Sequence, residues 1–313
     1  MGRSREIGGY FALECREGEI YHASGRFLNS GRNALRHILR CCGIRELYVP
    51  FYTCPVVIEA IRAEKAVMHF YDVTSELVPA CSFPADAFIL YTNYFGVCGR
   101  TVRTLAGKYP NLIVDNAQSF YSAPCGLGSF YSPRKFFGVP DGGIAFCRKE
   151  TGDNSYPEET DSHSRFAHLL IRHELGAGAG YAHFAENDGA LDGREIRNMS
   201  LLTRKLMGNI DYERAKKCRL ENFRFLAEAL EPEKKWDLLP GDVPMVYPYY
   251  TSNSKLRSSL IEKKIFAATY WKGTDKSAEA LTSSIIPLPI DQRYGLEEMK
   301  FIAETVLNFQ KGQ

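Results

Sequence analysis

The sequence predicts an α/β protein: a large domain with a mostly parallel sheet, followed by a smaller α/β domain. Two observations support this fold class. Short apolar segments alternate with amphipathic ones at the spacing of βαβ units, and residues 150–200 break that alternation with polar, acidic and glycine-rich sequence. We expect residues 1–204 to form the large domain and residues 205–313 to form the small one. A chain of 313 residues is long enough for both.

The first strongly predicted element is a helix that begins after Ser30. Serine is a favoured N-cap, and Gly43 suits the position that follows a helix. Residues 7–29 before it are expected to form a loop or a short strand. The elements predicted next are the strands Leu47–Pro50, Ala66–Tyr71, Ala87–Thr92 and Leu112–Asp115, the helices Pro55–Ala63 and Arg100–Lys108, and the buried strand Gly143–Cys147.

The second half of the chain resumes the alternation after residue 200. Residues 150–200 are interpreted either as a long active-site loop with short helices or as a linker between domains. The elements predicted beyond them are the helices Asp211–Leu230, Ser254–Lys263 and Gly295–Phe309 and the strands Met245–Tyr250 and Phe266–Tyr270.

Composition and charge indicate which kinds of binding partner and which cellular location to expect. A net charge of +2, with no basic run interleaved with aromatics, gives no reason to expect nucleic acid or a membrane as a partner. The nine cysteines are scattered without a CxxC pair, so we expect free thiols, a cytoplasmic location and no metal site. The N-terminus lacks the apolar core of a signal peptide, and no segment approaches transmembrane length.

A single lysine, Lys135, stands in a mostly apolar segment that ends in the turn Asp141-Gly-Gly143. A lysine held among aromatic side chains loses hydration, which lowers its pKa and frees the amine to attack a carbonyl carbon. The alternative is a surface lysine in a basic loop, since Arg134 precedes it.

Two further features precede this lysine in the chain. The helix N-terminus at Ser30-Gly31-Arg32 offers backbone N–H groups to a phosphate. Asp115 ends a predicted strand, and Gln118 follows it. A phosphate cradle, a carboxylate and a lysine are the groups that pyridoxal phosphate needs for its phosphate, its pyridine nitrogen and its aldehyde. Separately, each feature has a simpler interpretation, since Ser30 could act only as a helix cap and Asp115 only as a turn residue.

The order and spacing of five motifs resemble those of the DegT/DnrJ/EryC1/StrS family of sugar aminotransferases. Ser30-Gly-Arg-Asn-Ala-Leu35 is similar to the family's SGTxAL segment and Leu47-Tyr-Val-Pro-Phe-Tyr-Thr53 to its VIVPxxT segment. Thr92-Asn-Tyr-Phe-Gly96 is similar to VHxxG and Val114-Asp-Asn-Ala-Gln118 to EDxAQ. The segment from Ser129 through Lys135 to Gly143 is similar to SFxxxK…GDGG, with its lysine shifted by one residue. The resemblance implies a pyridoxal-phosphate enzyme of fold type I.

The resemblance also implies roles for individual residues. Lys135 would form the Schiff base and act as general base, Asp115 would pair with the pyridine nitrogen, and Gln118 would lie near the cofactor's 3-oxygen. The phosphate would be held by Gly31, Arg32 and either Ser129 or Ser132, and the site would be completed in a homodimer. The implied reaction moves an amino group from an amino-acid donor, such as glutamate, to a keto sugar, which we expect to be nucleotide-linked.

Three positions depart from the family pattern. Arg32 replaces the usual threonine, Cys54 stands where many relatives have an aromatic stacked on the pyridine ring, and Asn93, a candidate substrate residue, replaces a common histidine. Tyr52 is then the candidate for stacking. Two alternatives remain open: a sugar dehydratase, although dehydratases of this family carry histidine in place of the lysine, and a degenerate member that binds cofactor, ligand or partner without transamination.

Overall fold

The structure is a computed structural model that describes residues 7–149, 154–230, 234–271 and 275–311. Its strands are β1 (Arg26–Leu28), β2 (Glu46–Pro50), β3 (Val67–Tyr71), β4 (Ile89–Thr92), β5 (Leu112–Asp115), β6 (Gly128–Tyr131), β7 (Gly143–Cys147), β8 (Val246–Tyr250) and β9 (Ile285–Pro289). Its α-helices are α1 (Gly31–Cys41), α2 (Pro55–Ala63), α3 (Gly99–Lys108), α4 (Ala167–Leu175), α5 (Ala177–Gly189), α6 (Leu201–Gly208), α7 (Tyr212–Ala229), α8 (Lys255–Glu262), α9 (Lys276–Ser284) and α10 (Leu296–Lys311).

The large sheet has seven strands in the order β1-β7-β6-β5-β4-β2-β3. Strands β3, β2, β4, β5 and β6 are parallel, whereas β7 runs antiparallel to both β6 and β1. The carboxyl ends of β1 to β6 therefore lie at one edge of the sheet, while the carboxyl end of β7 lies at the opposite edge. The predicted fold class, a mostly parallel α/β sheet, is confirmed.

Most elements predicted in the first half of the chain are present. Ser30 caps α1, α2 and β7 have the predicted bounds, and β2 to β5 lie within one or two residues of theirs. Sequence analysis missed β6, because the hydroxyl-bearing residues of that strand were assigned to the segment before the lysine. The interval 150–200 contains the paired helices α4 and α5, which pack on each other.

One predicted strand in the second half is wrong. Phe266–Tyr270 forms no strand, and its backbone carbonyls find a different partner: the guanidinium of Arg257 donates hydrogen bonds to the carbonyl oxygens of Ala267 and Ala268. Sequence analysis also missed α9. Strands β8 and β9 pair antiparallel as a separate two-stranded sheet. The predicted domain boundary at residues 204 and 205 falls within α6 and stays a prediction.

Apolar side chains cover both faces of the large sheet. On one face, Leu35 and Ile38 of α1 and Ile61 of α2 are buried against the strands. On the other face, the core is continuous with side chains of α7, α10 and the small sheet. Among the helices that the structure describes, none is long and apolar enough to cross a membrane.

A buried ionic group, here called the buried arginine cluster, fixes the segment after β7 to the large sheet. Arg165 donates to Asp141 at 2.6 Å and lies 3.7 Å from Glu159, and these three side chains are 0–3% exposed. Ser162 and Thr203 also donate hydrogen bonds to Asp141. Charges this deep are tolerated because each one has an opposite charge and hydrogen bonds.

Candidate active site

A cavity of about 150 Å³ opens at the sheet edge that carries the carboxyl ends of β1 to β6. Its walls include Gly31 and Arg32 after β1, Asp115 at the end of β5, and Ser132 and Lys135 after β6. Ligands bind at this edge in open α/β sheets. The fold thus brings together residues that are up to about a hundred positions apart in sequence.

The N-terminus of α1 forms one end of the cavity. Ser30 Oγ accepts a hydrogen bond from the Asn33 N–H at 3.2 Å, whereas the N–H of Arg32 lies in the first turn, where an α-helix supplies no acceptor of its own. A Cβ on Gly31 would lie only 3.3 Å from Ser132 Cβ, so the segment that follows β6 packs closely against the first turn of α1. Gly143 is equally constrained, because its Cβ would lie 2.1 Å from the Ser30 carbonyl oxygen.

Asp115 provides a buried carboxylate at the end of β5. Its Oδ1 accepts a hydrogen bond from the Ala117 N–H at 2.8 Å, and the residue is only 3% exposed. Burial raises the pKa of this carboxyl, and the charge of Lys135 and the Ala117 N–H offset part of that rise. A buried carboxylate with one modest hydrogen bond is stabilised by a cationic partner such as a protonated ring nitrogen.

Lys135 ends a 3₁₀ turn, Pro133–Lys135, that begins directly after Ser132. Its side chain lines the cavity, yet the residue is solvent-exposed. The loss of hydration expected from the sequence is therefore wrong for the single chain, because the neighbouring aromatics Phe136 and Phe137 turn into the core instead of surrounding the amine.

The backbone next to Lys135 is held by residues from the C-terminal third of the chain. The carbonyl oxygen of Phe136 accepts hydrogen bonds from Gln292 Nε2 at 2.7 Å and from Arg219 Nη2 at 3.4 Å. The guanidinium of Arg219 also lies 4.4 Å from the centre of the Phe136 ring, and burial lowers its pKa to about 10. These contacts fix the position from which Lys135 projects.

Two arginines share one carboxylate at the cavity wall, and we call this group the cavity arginine cluster: Arg32, Arg134 and Asp188. Arg134 donates to Asp188 at 3.0 Å, and Arg32 lies 3.8 Å from Asp188 and 3.0 Å from Asp192. Burial lowers the pKa of Arg134, and Asp188 opposes that change. Arg32 Nη1 is buried and has no hydrogen-bond partner among the described residues. An anion placed at the helix N-terminus would supply one.

Two residues predicted to contact the cofactor are buried away from the cavity lining. Tyr52 is 1% exposed, and its ring stacks on Tyr94 with centroids 5.4 Å apart and meets the ring of Trp271 edge-on. Ser129 Oγ is engaged by the backbone of Cys125, donating to its carbonyl at 2.9 Å and accepting from its N–H at 3.0 Å. Of the two candidate serines, only Ser132 lines the cavity.

Gln118 and Asn93 are buried beside the cavity without lining it. Gln118 Oε1 accepts from the Phe95 N–H at 2.8 Å, while its Nε2 is buried with no hydrogen-bond partner in the described chain. Asn93 Oδ1 accepts from the Cys98 N–H, and its Nδ2 donates to Asn116 Oδ1, each at 3.2 Å. Asn93 thus organises the loop after β4.

Two charged cavity residues, Arg134 and Asp188, escaped sequence analysis. Arg134 was interpreted as part of a basic loop, and Asp188 as part of a turn, although its acidic charge beside a helix end was a usable signal. Cys54 lines the cavity at the position where relatives stack an aromatic ring, so the sequence departure noted there lies at the cavity wall itself.

Comparison with known proteins yields structural matches only. No protein-family profile matches the chain, and no curated protein matches its sequence. A DegT DnrJ EryC1 StrS aminotransferase from Brucella abortus superposes with a TM-score of 0.61 and 17% identity, covering 93% of this chain and 86% of that one. Helicobacter pylori PseC, an aminotransferase involved in the biosynthesis of pseudoaminic acid, matches with a TM-score of 0.59 and 17% identity over 92% and 87% of the two chains.

A third similar structure performs different chemistry. The Escherichia coli GDP-4-keto-6-deoxy-D-mannose-3-dehydratase, with bound hydrated pyridoxal phosphate, has a TM-score of 0.60 and 14% identity over 90% of this chain and 87% of that one. At such low identity these matches establish the fold. The structural neighbours are of the DegT/DnrJ/EryC1/StrS type that the sequence resembles, and the chain has the fold of pyridoxal-phosphate enzymes of fold type I.

Proposed function

We propose that this protein is a pyridoxal-phosphate aminotransferase that moves an amino group from an amino-acid donor, glutamate being the first candidate, to a nucleotide-linked keto sugar. The observation that carries the proposal is the convergence of Lys135, Asp115 and the N-terminus of α1 on one cavity. An amine, a carboxylate and an anion cradle arranged in this way match the three reactive ends of pyridoxal phosphate.

The residues present fit this cofactor. Its phosphate would be held by the first turn of α1, by Ser132 and by the unpaired Nη1 of Arg32. Its ring nitrogen would meet Asp115, because burial raises the pKa of this carboxyl and a positive partner would stabilise its charged form. Gln118, which follows the lining residue Ala117 in the chain, would donate a hydrogen bond to the cofactor from its unpaired Nε2. When bound, the cofactor supplies an electron sink that stabilises negative charge on the substrate's α-carbon.

The chain's own residues would orient the cofactor and move protons. Lys135 Nζ is the one amine on the described cavity wall, so it would hold the cofactor and carry the proton that leaves the α-carbon. Asp115 would keep the ring nitrogen protonated through its buried negative charge. Cys54 and Ala117 would line the cavity beside the ring, replacing aromatic stacking with smaller contacts.

We also propose that the functional form is a homodimer. Lys135 is exposed in the single chain, and catalysis needs a water-excluding wall over it. The helices α4 and α5 expose large apolar side chains that a partner would cover: Leu170, Leu175, Tyr181 and Phe184. Light scattering of the purified chain is expected to give twice the monomer mass, and Leu175→Asp with Tyr181→Asp is expected to reduce it to the monomer.

The experiment that tests the proposed function is an absorbance titration of the purified protein with pyridoxal phosphate. We expect a visible band that Lys135→Ala abolishes and that glutamate bleaches. Lys205→Ala, which removes another exposed lysine, is the matched control and should retain the band. Borohydride treatment should attach the cofactor to the peptide that contains Lys135. A wild-type protein without the band would refute the proposal.

A second candidate function, a cofactor-binding protein without transamination, is favoured by the position of Tyr52. That ring lies in the core rather than on the cavity wall, and Cys54 provides no stacking surface. This candidate predicts a Lys135-dependent band that no amino acid bleaches. Bleaching by glutamate would exclude it.

A further inference from the structure

A second cluster of reactive side chains lies at the opposite end of α1 from the cavity. His37 and Cys41 are one turn apart on the same helix face, and Cys147 ends β7 beside them. One ligand atom from each of these three residues lies within 4.8 Å of the others, and Cys41 Sγ is 3.0 Å from Cys147 Sγ. Because β7 is antiparallel to β6, its carboxyl end lies at the sheet edge away from the cavity.

A third sulfur belongs to this group. Cys42 follows Cys41, and its Sγ lies 3.6 Å from the carbonyl oxygen of Lys149, two residues beyond Cys147. Cys42 is half-buried, so the cluster can be reached from solvent. The cluster also lies at the C-terminus of α1, where the negative end of the helix dipole favours a positive charge.

The histidine is oriented by a neighbouring hydroxyl. His37 Nδ1 lies 3.1 Å from Tyr156 Oη, which accepts a hydrogen bond when Nδ1 carries the proton. In that tautomer Nε2 keeps its lone pair for a metal ion. A hydrogen bond from the distal ring nitrogen to an oxygen is the arrangement by which proteins commonly fix a metal-binding imidazole.

We propose that Cys41, Cys42, Cys147 and His37 bind one Zn²⁺ ion in a closed, structural site. Three sulfurs and one imidazole are a ligand set that zinc adopts with tetrahedral geometry. Each thiol would bind as a thiolate and release its proton to solvent. The ion would fasten the end of α1 to the end of β7, whereas the sequence suggested no metal because Cys147 lies more than a hundred residues from the other ligands.

The proposal is tested on the tag-free, full-length chain after chelation and reduction under anaerobic conditions. Titration with Co²⁺ is expected to saturate at one equivalent and to give the thiolate charge-transfer and visible bands of a tetrahedral sulfur site. Cys147→Ser and Cys42→Ser should each weaken these bands and reduce the bound zinc that mass spectrometry detects. Cys125→Ser, a half-buried cysteine outside the cluster, is the matched control and should leave both unchanged.

A more conservative substitution tests the proposed site in a protein that keeps its fold. Tyr156→Phe keeps the ring and removes the hydroxyl that orients His37, so we expect about a tenfold loss of zinc affinity with retained charge-transfer bands. Absence of stoichiometric zinc and of cobalt bands from the folded wild type would overturn the proposal. The proposal would also be overturned if the protein bound no metal and lost two titratable thiols on exposure to air through a disulfide between Cys41 and Cys147. That result would identify a redox pair.

Discussion

The buried and cavity arginine clusters contain the same kinds of side chain but differ in exposure and in the hydrogen bonding of their carboxylates. In the buried cluster, Arg165 and Asp141 are 3% and 0% exposed, and Ser162 and Thr203 complete the hydrogen bonding of the carboxylate. Arg165 Nε, like Arg32 Nη1 in the other cluster, is buried without a hydrogen-bond partner among the described residues. In the cavity cluster, Asp188 is 50% exposed, and one nitrogen of Arg32 has no hydrogen-bond partner in the described residues.

The difference shows how one type of ion pair can serve two purposes. In a buried ion pair whose carboxylate oxygens are all hydrogen-bonded, the carboxylate is not accessible to a ligand. Removing one partner leaves the other charge buried and unsolvated. A pair whose carboxylate faces solvent costs little to break, so its arginines can exchange that carboxylate for a phosphate. The buried arginine cluster therefore fastens a segment, while the cavity arginine cluster is suited to binding.

The largest effect is expected from breaking the buried cluster. Arg165→Ala leaves Asp141 charged, buried and without its cation, so the free energy of unfolding should fall by about 3–5 kcal/mol. Urea denaturation followed by circular dichroism measures the change. Arg172→Ala, at an exposed position on α4, is the control and should change stability by less than about 0.5 kcal/mol. Equal losses in the two variants would show that the buried arginine cluster does not stabilise the fold.

A smaller effect, on binding rather than folding, is expected from the cavity cluster. Arg32→Ala removes a charged donor from the proposed phosphate site, which should cost about 2 kcal/mol of pyridoxal-phosphate affinity, or roughly 30-fold. Fluorescence titration measures it, with Arg40→Ala on the same helix as the control. A large loss of stability with unchanged affinity would show that Arg32 acts structurally.

The two carboxylates Glu159 and Asp115 should give opposite pH dependences. Burial alone would raise the pKa of Glu159, but the Asp161 N–H and the charges of Arg165 and Arg194 outweigh it and lower that pKa. The stabilisation from Glu159 is therefore present above pH 4.5, its ordinary value, and is lost as the pH falls through the lower folded-state pKa. Glu159→Gln should flatten the acid side of a plot of melting temperature against pH.

The pH dependence of stability has the opposite sign for Asp115, because burial raises the pKa of this carboxyl in the folded protein. Its contribution to stability decreases as the pH rises above 3.8 towards that raised value. Asp115→Asn should therefore melt higher than the wild type at neutral pH while losing cofactor affinity. A lower melting temperature would show that the carboxylate supports the fold.

The smallest effect is expected from Asp188→Asn. The exposed ion pairs that this change removes contribute less than about 1 kcal/mol, so the melting temperature should hardly move. Freed from that carboxylate, Arg32 and Arg134 should bind pyridoxal phosphate several-fold more tightly. Unchanged affinity would indicate that Asp188 does not compete with the phosphate.

Local patterns in the sequence predicted much of the fold and part of the candidate site. The cap at Ser30, the periodicity of α1 and the strand end at Asp115 are encoded within a few residues, and all are present in the structure. Five residues predicted for the site share one cavity: Gly31, Arg32, Asp115, Ser132 and Lys135. Their proposed roles remain to be tested by the titrations above.

The rest depends on contacts between distant segments. Whether Tyr52 faces the core or the cavity is decided by packing against Trp271, more than two hundred residues later. The pairing of Arg134 with Asp188 requires α5 to lie over the cavity, and the meeting of Cys41 with Cys147 requires the antiparallel course of β7. None of these contacts has a signature within a short stretch of sequence.

The hydrogen bond from Gln292 to the Phe136 carbonyl joins residues 156 positions apart and sets an order of events during synthesis. The strands of the large sheet leave the ribosome well before Gln292 does, so the sheet can begin to form while the backbone beside Lys135 still lacks this partner. Ordering of that backbone is consequently a late, long-range step, of the kind that slows folding. A chain truncated before residue 292 would retain every strand of the large sheet but would lack the contact that positions its lysine.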